Sequence, residues 1–150
     1  MDMEFDELYQ DIILDHYRHP HNFGEGSPLC TQVELDNPVC GDHIKLTLEV
    51  DDDGIVKDVK FSGSGCAISV ASASIMTDEI KGKTVEEAEA IIEDVLETMT
   101  GKREPDSLDQ HGDLVALKGV IKFPVRVKCA TLAWHAVQDA VHKYEEKESK

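Results

Sequence analysis

Residues 44–61 constrain this chain more than any other stretch. Ile44, Leu46, Leu48 and Val50 alternate with Lys45, Thr47 and Glu49, which is the period of a half-buried β-strand. Asp51-Asp52-Asp53-Gly54 follows, and an Asp-Gly pair between alternating apolar runs is a strong hairpin signal. Val59 and Phe61 then alternate with Asp58 and Lys60 in a returning strand. Thr31-Gln32-Val33-Glu34-Leu35 alternates more weakly and reads as an edge strand. The expectation is a small antiparallel sheet of about three strands, apolar on one face, which the rest of the chain must cover.

Helical periods supply the cover. Phe5, Leu8, Tyr9, Ile12, Ile13, His16 and Tyr17 form one apolar stripe, which stops at Arg18-His19-Pro20. His16, His19 and His21 could suggest a metal cluster. The plainer reading is that His16 borders the packed face and the other two belong to the helix-stop loop. From Cys66 a helix carries Ile68, Ala71, Ser72, Ile75, Met76 and Ile80, with Gly82 as its C-cap. Its small residues predict close packing on the sheet. Thr84 and Glu87 form a capping box for a further helix along Ala88, Ile91, Ile92, Val95, Leu96 and Met99. The outer face of that helix, Glu86, Glu89, Glu93, Asp94 and Glu97, reads as solvated. Residues 100–113 read as a loop and Leu114–Leu117 as one helical turn. A last helix runs along Cys129, Leu132, Ala133, Ala136, Val137, Ala140, Val141 and Tyr144. Trp134 stands off that stripe, on a partner-binding surface or a second packing face. With no internal repeat and no dividing linker, 1–150 is a single α+β domain.

Lys and Arg number 15 against 31 Asp and Glu, a net charge of −16. Such a surface disfavours nucleic acid and anionic membranes and would steer a basic partner protein. Met1 to Glu7 is acidic and does not read as a secretory signal. No run reaches the roughly 18 apolar residues of a membrane span. A cytoplasmic setting is expected, and in a reducing compartment spaced cysteines point to metal or redox chemistry.

Four residues carry that chemistry. Cys40 and Asp42 flank Gly41 just before the first clear strand. Cys66 follows Gly63-Ser64-Gly65 at a helix start, and Cys129 follows Phe123-Pro124, also near one. Three thiols and a carboxylate make a tetrahedral donor set for zinc, although no C-x-x-C pair of the zinc-finger kind occurs. A helix N-terminus favours a thiolate, and Arg126 and Lys128 place positive charge beside Cys129. A carboxylate among thiolates opens a site that a fourth cysteine would close. Gly63-Ser64-Gly65 is not a phosphate loop, because no Lys-Ser or Lys-Thr pair follows. Cys30 has no companion and reads as a core cysteine. A Cys–His nucleophile pair through His43 or His135 stays open, though both read better as packing or surface residues.

These segments also resemble a known family. Asp15-His16-Tyr17-Arg18-His19-Pro20 with Asn22, Asn37-Pro38-Val39-Cys40-Gly41-Asp42, Gly63-Ser64-Gly65-Cys66-Ala67-Ile68-Ser69 and Cys129-Ala130-Thr131-Leu132-Ala133-Trp134 are similar, in order, to the SufU and IscU (NifU N-terminal-like) iron–sulfur cluster assembly proteins. IscU-type scaffolds carry histidine where this chain has Lys128, and their segment corresponding to Gly101–Gly119 is shorter. Both differences resemble the SufU branch.

The resemblance implies an α+β, SufE/IscU-like fold and zinc held by Cys40, Asp42, Cys66 and Cys129. It also implies sulfurtransferase action, with Cys40 as the acceptor. Persulfide sulfur would come from a pyridoxal-phosphate-dependent cysteine desulfurase of the SufS type and pass on to cluster-assembly scaffold proteins. Two alternatives remain. One is a scaffold that carries a transient iron–sulfur cluster on the same ligands. The other is a non-catalytic domain that zinc merely stabilises. Soft thiolates suit both metals; Lys128 argues against the scaffold and Asp42 against the purely structural site.

Overall fold

The computed structural model of the chain describes residues 3–26, 30–37, 41–121 and 123–148. Strands β1 (Thr31–Asn37), β2 (Asp42–Val50) and β3 (Val56–Ser64) form one antiparallel sheet in that order. Val33, Leu46 and Phe61 lie abreast across it, as do Thr31, Leu48 and Val59. Directly opposed residues share a face, so the alternation becomes one apolar surface on which Leu46, Leu48, Val59 and Phe61 are buried. In the turn, Asp51 Oδ1 accepts the backbone N–H groups of Asp53 at 2.9 Å and Ile55 at 3.0 Å. Gly54 adopts φ of +77°, a region open to glycine at little cost.

Among the described residues four α-helices stack over this sheet in two layers: α1 (Met3–Arg18), α2 (Ala67–Ile80), α3 (Val85–Met99) and α4 (Pro124–Glu148). Helix α4 packs on β1 and β2, and α2 packs on β3 and α4. Outside them, α1 lies on α2 and α3 on α4. The small residues of α2 do what their size allows: Ala71, Ser72, Ala73 and Ser74 are all buried. Of the two roles open to Trp134, the structure shows a packing face. Its ring is fully buried, and Nε1 donates to Ser72 Oγ at 3.0 Å, which in turn donates to Ala130 O at 2.6 Å. The indole N–H needs a partner once it leaves water, and a serine within α2 supplies it.

The turn end of the β2–β3 hairpin is tied to the junction of α2 and α3. Val56 N–H bonds Lys83 O, Gly82 N–H bonds Val56 O and Val85 N–H bonds Gly54 O, at 2.8 to 3.0 Å. At that junction the capping box forms as its spacing predicts. Thr84 Oγ1 accepts from Glu87 N–H at 3.1 Å and Glu87 Oε1 from Thr84 N–H at 3.0 Å.

Two expectations are corrected, one between α3 and α4 and one within α3. Residues 100–113 are not simply loop: consecutive 3-10 helices span Pro105–Gln110 and Gly112–Gly119. Leu108, Leu114 and Leu117 are fully buried, so apolar burial orders a segment that its polarity and glycines made look irregular. Asp94 is not on the solvated face. It is buried, and it accepts hydrogen bonds from Ser107 Oγ, from His111 Nε2 at 2.7 Å and from Arg103 Nη1 at 3.4 Å. Burial pushes its carboxyl up, but the Ser107 and His111 hydrogen bonds and the nearby positive charge outweigh this and hold it below the usual value. A carboxylate depressed in the folded state contributes stability above its unfolded pKa and loses it as pH falls through the folded value. Asp94→Ala is therefore expected to cost about 2 kcal/mol at neutral pH, with the difference from wild type shrinking in acid, as read by urea melts at several pH values.

Candidate metal centre

The opposite end of the sheet collects the chemistry. Asp42 opens β2 across from Asn37, and His43 pairs with Ser64, so Asp42 stands where β3 gives way to α2. Cys66 is the N-cap of α2, with φ −72° and ψ 167°, and its side chain makes no capping hydrogen bond. Cys129 reaches the same place from α4. One ligand atom from each of Asp42, Cys66 and Cys129 lies within 4.8 Å of the other two.

Asp42 is 1% exposed. Its Oδ1 accepts the Cys66 backbone N–H at 2.9 Å. Its Oδ2 is buried and has no hydrogen-bond partner among the described residues. A buried carboxylate oxygen left unsatisfied is costly unless a cation or proton meets it. Two thiols stand beside it, and a set of two sulfurs and one oxygen fits zinc with a further position to fill. Cys40, expected at that position, lies outside the described residues with Pro38 and Val39.

The glycines before Cys66 make room for this. Gly63 has φ of +130°, and a Cβ there would stand 2.1 Å from His43 O. Gly65 has no such backbone requirement. Its need is space, because a Cβ would lie 2.6 Å from Asp42 Oδ1. Gly65→Ala is accordingly expected to displace the Asp42 carboxylate and lower zinc content well below one per chain, while far-ultraviolet circular dichroism stays native. Metal analysis of the purified variant checks this.

Two expectations about neighbouring residues change, and the reading of His43 and His135 as packing or surface residues holds. Helix α4 begins at Pro124, a residue suited to the first helical position, so Cys129 sits in the second turn. The field of a helix end fades within its first turn, and Cys129 is held instead by burial at 1% exposure. Cys30 is half-buried beside Glu49 rather than in the core, with its Sγ 3.7 Å from Oε1. His43 pairs on the sheet with Asp36 at 2.5 Å and Glu34 at 3.4 Å. His135 is exposed on α4, and neither histidine belongs to the thiol cluster.

The sequence reading missed a cleft of about 490 Å³ beside Cys66, lined by Tyr9, Ile13, Ile68, Val120, Phe123 and Arg126. Phe123 and Val125 are exposed next to it; an apolar Phe-Pro-Val run opening a helix was the available signal.

The family profile "NifU-like N terminal domain" matches residues 8–150. This chain belongs to the SufU/IscU family. It is 49% identical over 140 residues to the zinc-dependent sulfurtransferase SufU of Bacillus subtilis, covering 93% of each chain. It is 41% identical to the iron–sulfur cluster assembly scaffold protein IscU of Streptococcus pyogenes serotype M1, covering 93% of this chain and 86% of that one. A crystal structure of an iron–sulfur cluster assembly scaffold protein for the SUF system, from Fervidobacterium islandicum AW-1, superposes with a TM-score of 0.75 at 33% identity, over 87% of this chain and 94% of that one. The fold of these SufU/IscU proteins is the one described above, and Asp42, Cys66 and Cys129 converge at one end of it. Among the described residues, no helix is long and apolar enough to cross a membrane.

Proposed function

We propose that this chain is a zinc-dependent sulfur acceptor of iron–sulfur cluster assembly, which takes persulfide sulfur from a pyridoxal-phosphate-dependent cysteine desulfurase. The observation that carries the reading is the buried, unsatisfied Oδ2 of Asp42, on a carboxylate that clusters with the Cys66 and Cys129 thiols. Cys40, Asp42, Cys66 and Cys129 would hold the zinc. Bound zinc would keep the thiols deprotonated and tie β2, α2 and α4 together.

The chain's own residues supply the transfer. The Cys40 thiolate attacks the outer sulfur of the desulfurase persulfide. The sulfur–sulfur bond on the desulfurase breaks, one forms on Cys40, and the desulfurase cysteine leaves as a thiolate. No net oxidation occurs, so no further reactant is needed. Gly41 follows Cys40 directly and takes φ of +72°, which gives the backbone beside the acceptor a conformation that side chains oppose. Cys129, at 1% exposure, is too deeply buried to meet a partner's persulfide.

The name SufU favours this reading over cluster scaffolding, because the 49% identity to a sulfurtransferase exceeds the 41% to an IscU scaffold. Protein purified without oxygen is expected to be colourless, to carry one tightly held zinc, and to accelerate sulfide release by a partner desulfurase. A brown protein with visible absorption, inert towards the desulfurase, would establish the scaffold reading instead.

A further inference from the structure

We infer that the chain carries a second divalent-cation site, built from His16, His21 and Asp78 at the end of the fold's first helix. One ligand atom from each lies within 4.8 Å of the other two. Two imidazoles and one carboxylate form a donor set for a first-row transition cation such as zinc, iron(II), cobalt(II) or nickel(II).

A second, independent feature is how His16 is held. It is 2% exposed, and its Nε2–H donates to Asp113 Oδ2 at 2.8 Å. A carboxylate behind a histidine fixes the tautomer and turns the other nitrogen's lone pair outward, the usual arrangement around a metal-ligating imidazole. Here the outward nitrogen is Nδ1, which accepts from Ser74 Oγ at 2.7 Å. That hydroxyl also accepts the His21 backbone N–H at 2.8 Å, so an ion at Nδ1 would take the place of the Ser74 O–H donor beside the His21 loop. The two imidazole centroids are 4.6 Å apart, and His21 Nδ1 pairs with Asp78 Oδ2.

The loop that carries His21 is fixed rather than draped. Asn22, at φ of +55°, donates to Thr77 Oγ1 at 3.0 Å, and Lys81 Nζ donates to Asn22 Oδ1 at 3.4 Å. His16 is thus oriented from behind, while His21 and Asp78, about half exposed, can open by a rotamer change to admit an ion. His19 takes no part. The ligand that the histidine run lacked in the sequence is Asp78, one turn beyond Ser74 on α2. Neutral nitrogens and an exposed carboxylate bind more weakly than thiolates, so this site fills on titration and empties on gel filtration, while the thiol centre keeps its ion.

Cobalt(II) chloride titrated into the metal-free full chain separates the two sites by colour. Thiolate-bound cobalt gives intense near-ultraviolet charge-transfer bands, whereas cobalt on imidazole and carboxylate gives only weak visible bands. The expected result is two cobalt ions per chain by equilibrium dialysis, the second adding no charge-transfer intensity. His21→Ala and Asp78→Asn, both at exposed positions, should each reduce the count from two to one and leave the charge-transfer bands and the folded spectrum intact. A single cobalt in wild type, or a second one that persists in both variants, overturns the site.

Discussion

Stripping zinc from the thiol centre is expected to lower the melting temperature by ten degrees or more. The ligands come from a strand start, a helix cap and a second helix, and nothing else among the described residues satisfies Asp42 Oδ2. Without the cation, a buried carboxylate and neighbouring thiols remain together with no compensating charge, and metal-binding free energy is then folding free energy. Structural zinc in small domains contributes about 10–16 kcal/mol by apparent affinity. If even about 5 kcal/mol of that reaches this chain, at roughly 2–4 °C per kcal/mol for its length the shift is about 10–20 °C. Calorimetry before and after chelation, with metal content verified, measures it. Asp42→Asn sharpens the test: it should weaken zinc binding yet make the metal-free protein melt higher than metal-free wild type. An unchanged melting curve after complete removal of zinc would refute the stabilising role assigned to the centre.

The second large effect concerns the acceptor thiol. Cys40→Ser is expected to reduce sulfur uptake from the desulfurase to background. Cys66 is fixed as the cap of α2 and Cys129 is buried in α4, so substitution of either should act through loss of zinc and of stability. Asp42→Ala should disturb the metal while leaving an acceptor thiol in place. Mass spectrometry after incubation with desulfurase and cysteine locates the added sulfur by peptide. A persulfide on Cys30, or on Cys129 with Cys40 unmodified, refutes the assignment.

Local rules account for what was legible in the sequence. Alternation about an Asp-Gly turn located β2 and β3, and the Thr84–Glu87 spacing located the start of α3, because both signals lie within a few residues. The pairing of Asp42 with Cys66 was only nearly within reach: counting outward from Val50 and Val56 brings His43 opposite Gly63, and a register shift between Glu49 and Val50 moves its partner on to Ser64. The depth of Cys129 was out of reach, because a proline that begins a helix and one that merely precedes it look alike. Asp94 was misplaced because acidic residues on α3 share one pattern, and only the distant Ser107 and His111 decide which of them is buried. The 3-10 segment failed for a related reason. Its leucines are too sparse to show a period, and their burial depends on partners that only the folded chain brings near.

The two ends of the β2–β3 hairpin are fastened in different ways. At the turn, backbone groups of Gly54, Val56, Gly82, Lys83 and Val85 bond one another, and no side-chain chemistry can undo them. At the other end the fastening we propose passes through Asp42, Cys66 and Cys129, whose bonding would follow the supply of metal. The domain is therefore directional: one end is permanent, the other a clasp. When the clasp is released the strands can part only from the ligand end inward, so disorder from an emptied or working centre is confined to the segments that must yield to a partner, while the turn end keeps register for reclosing.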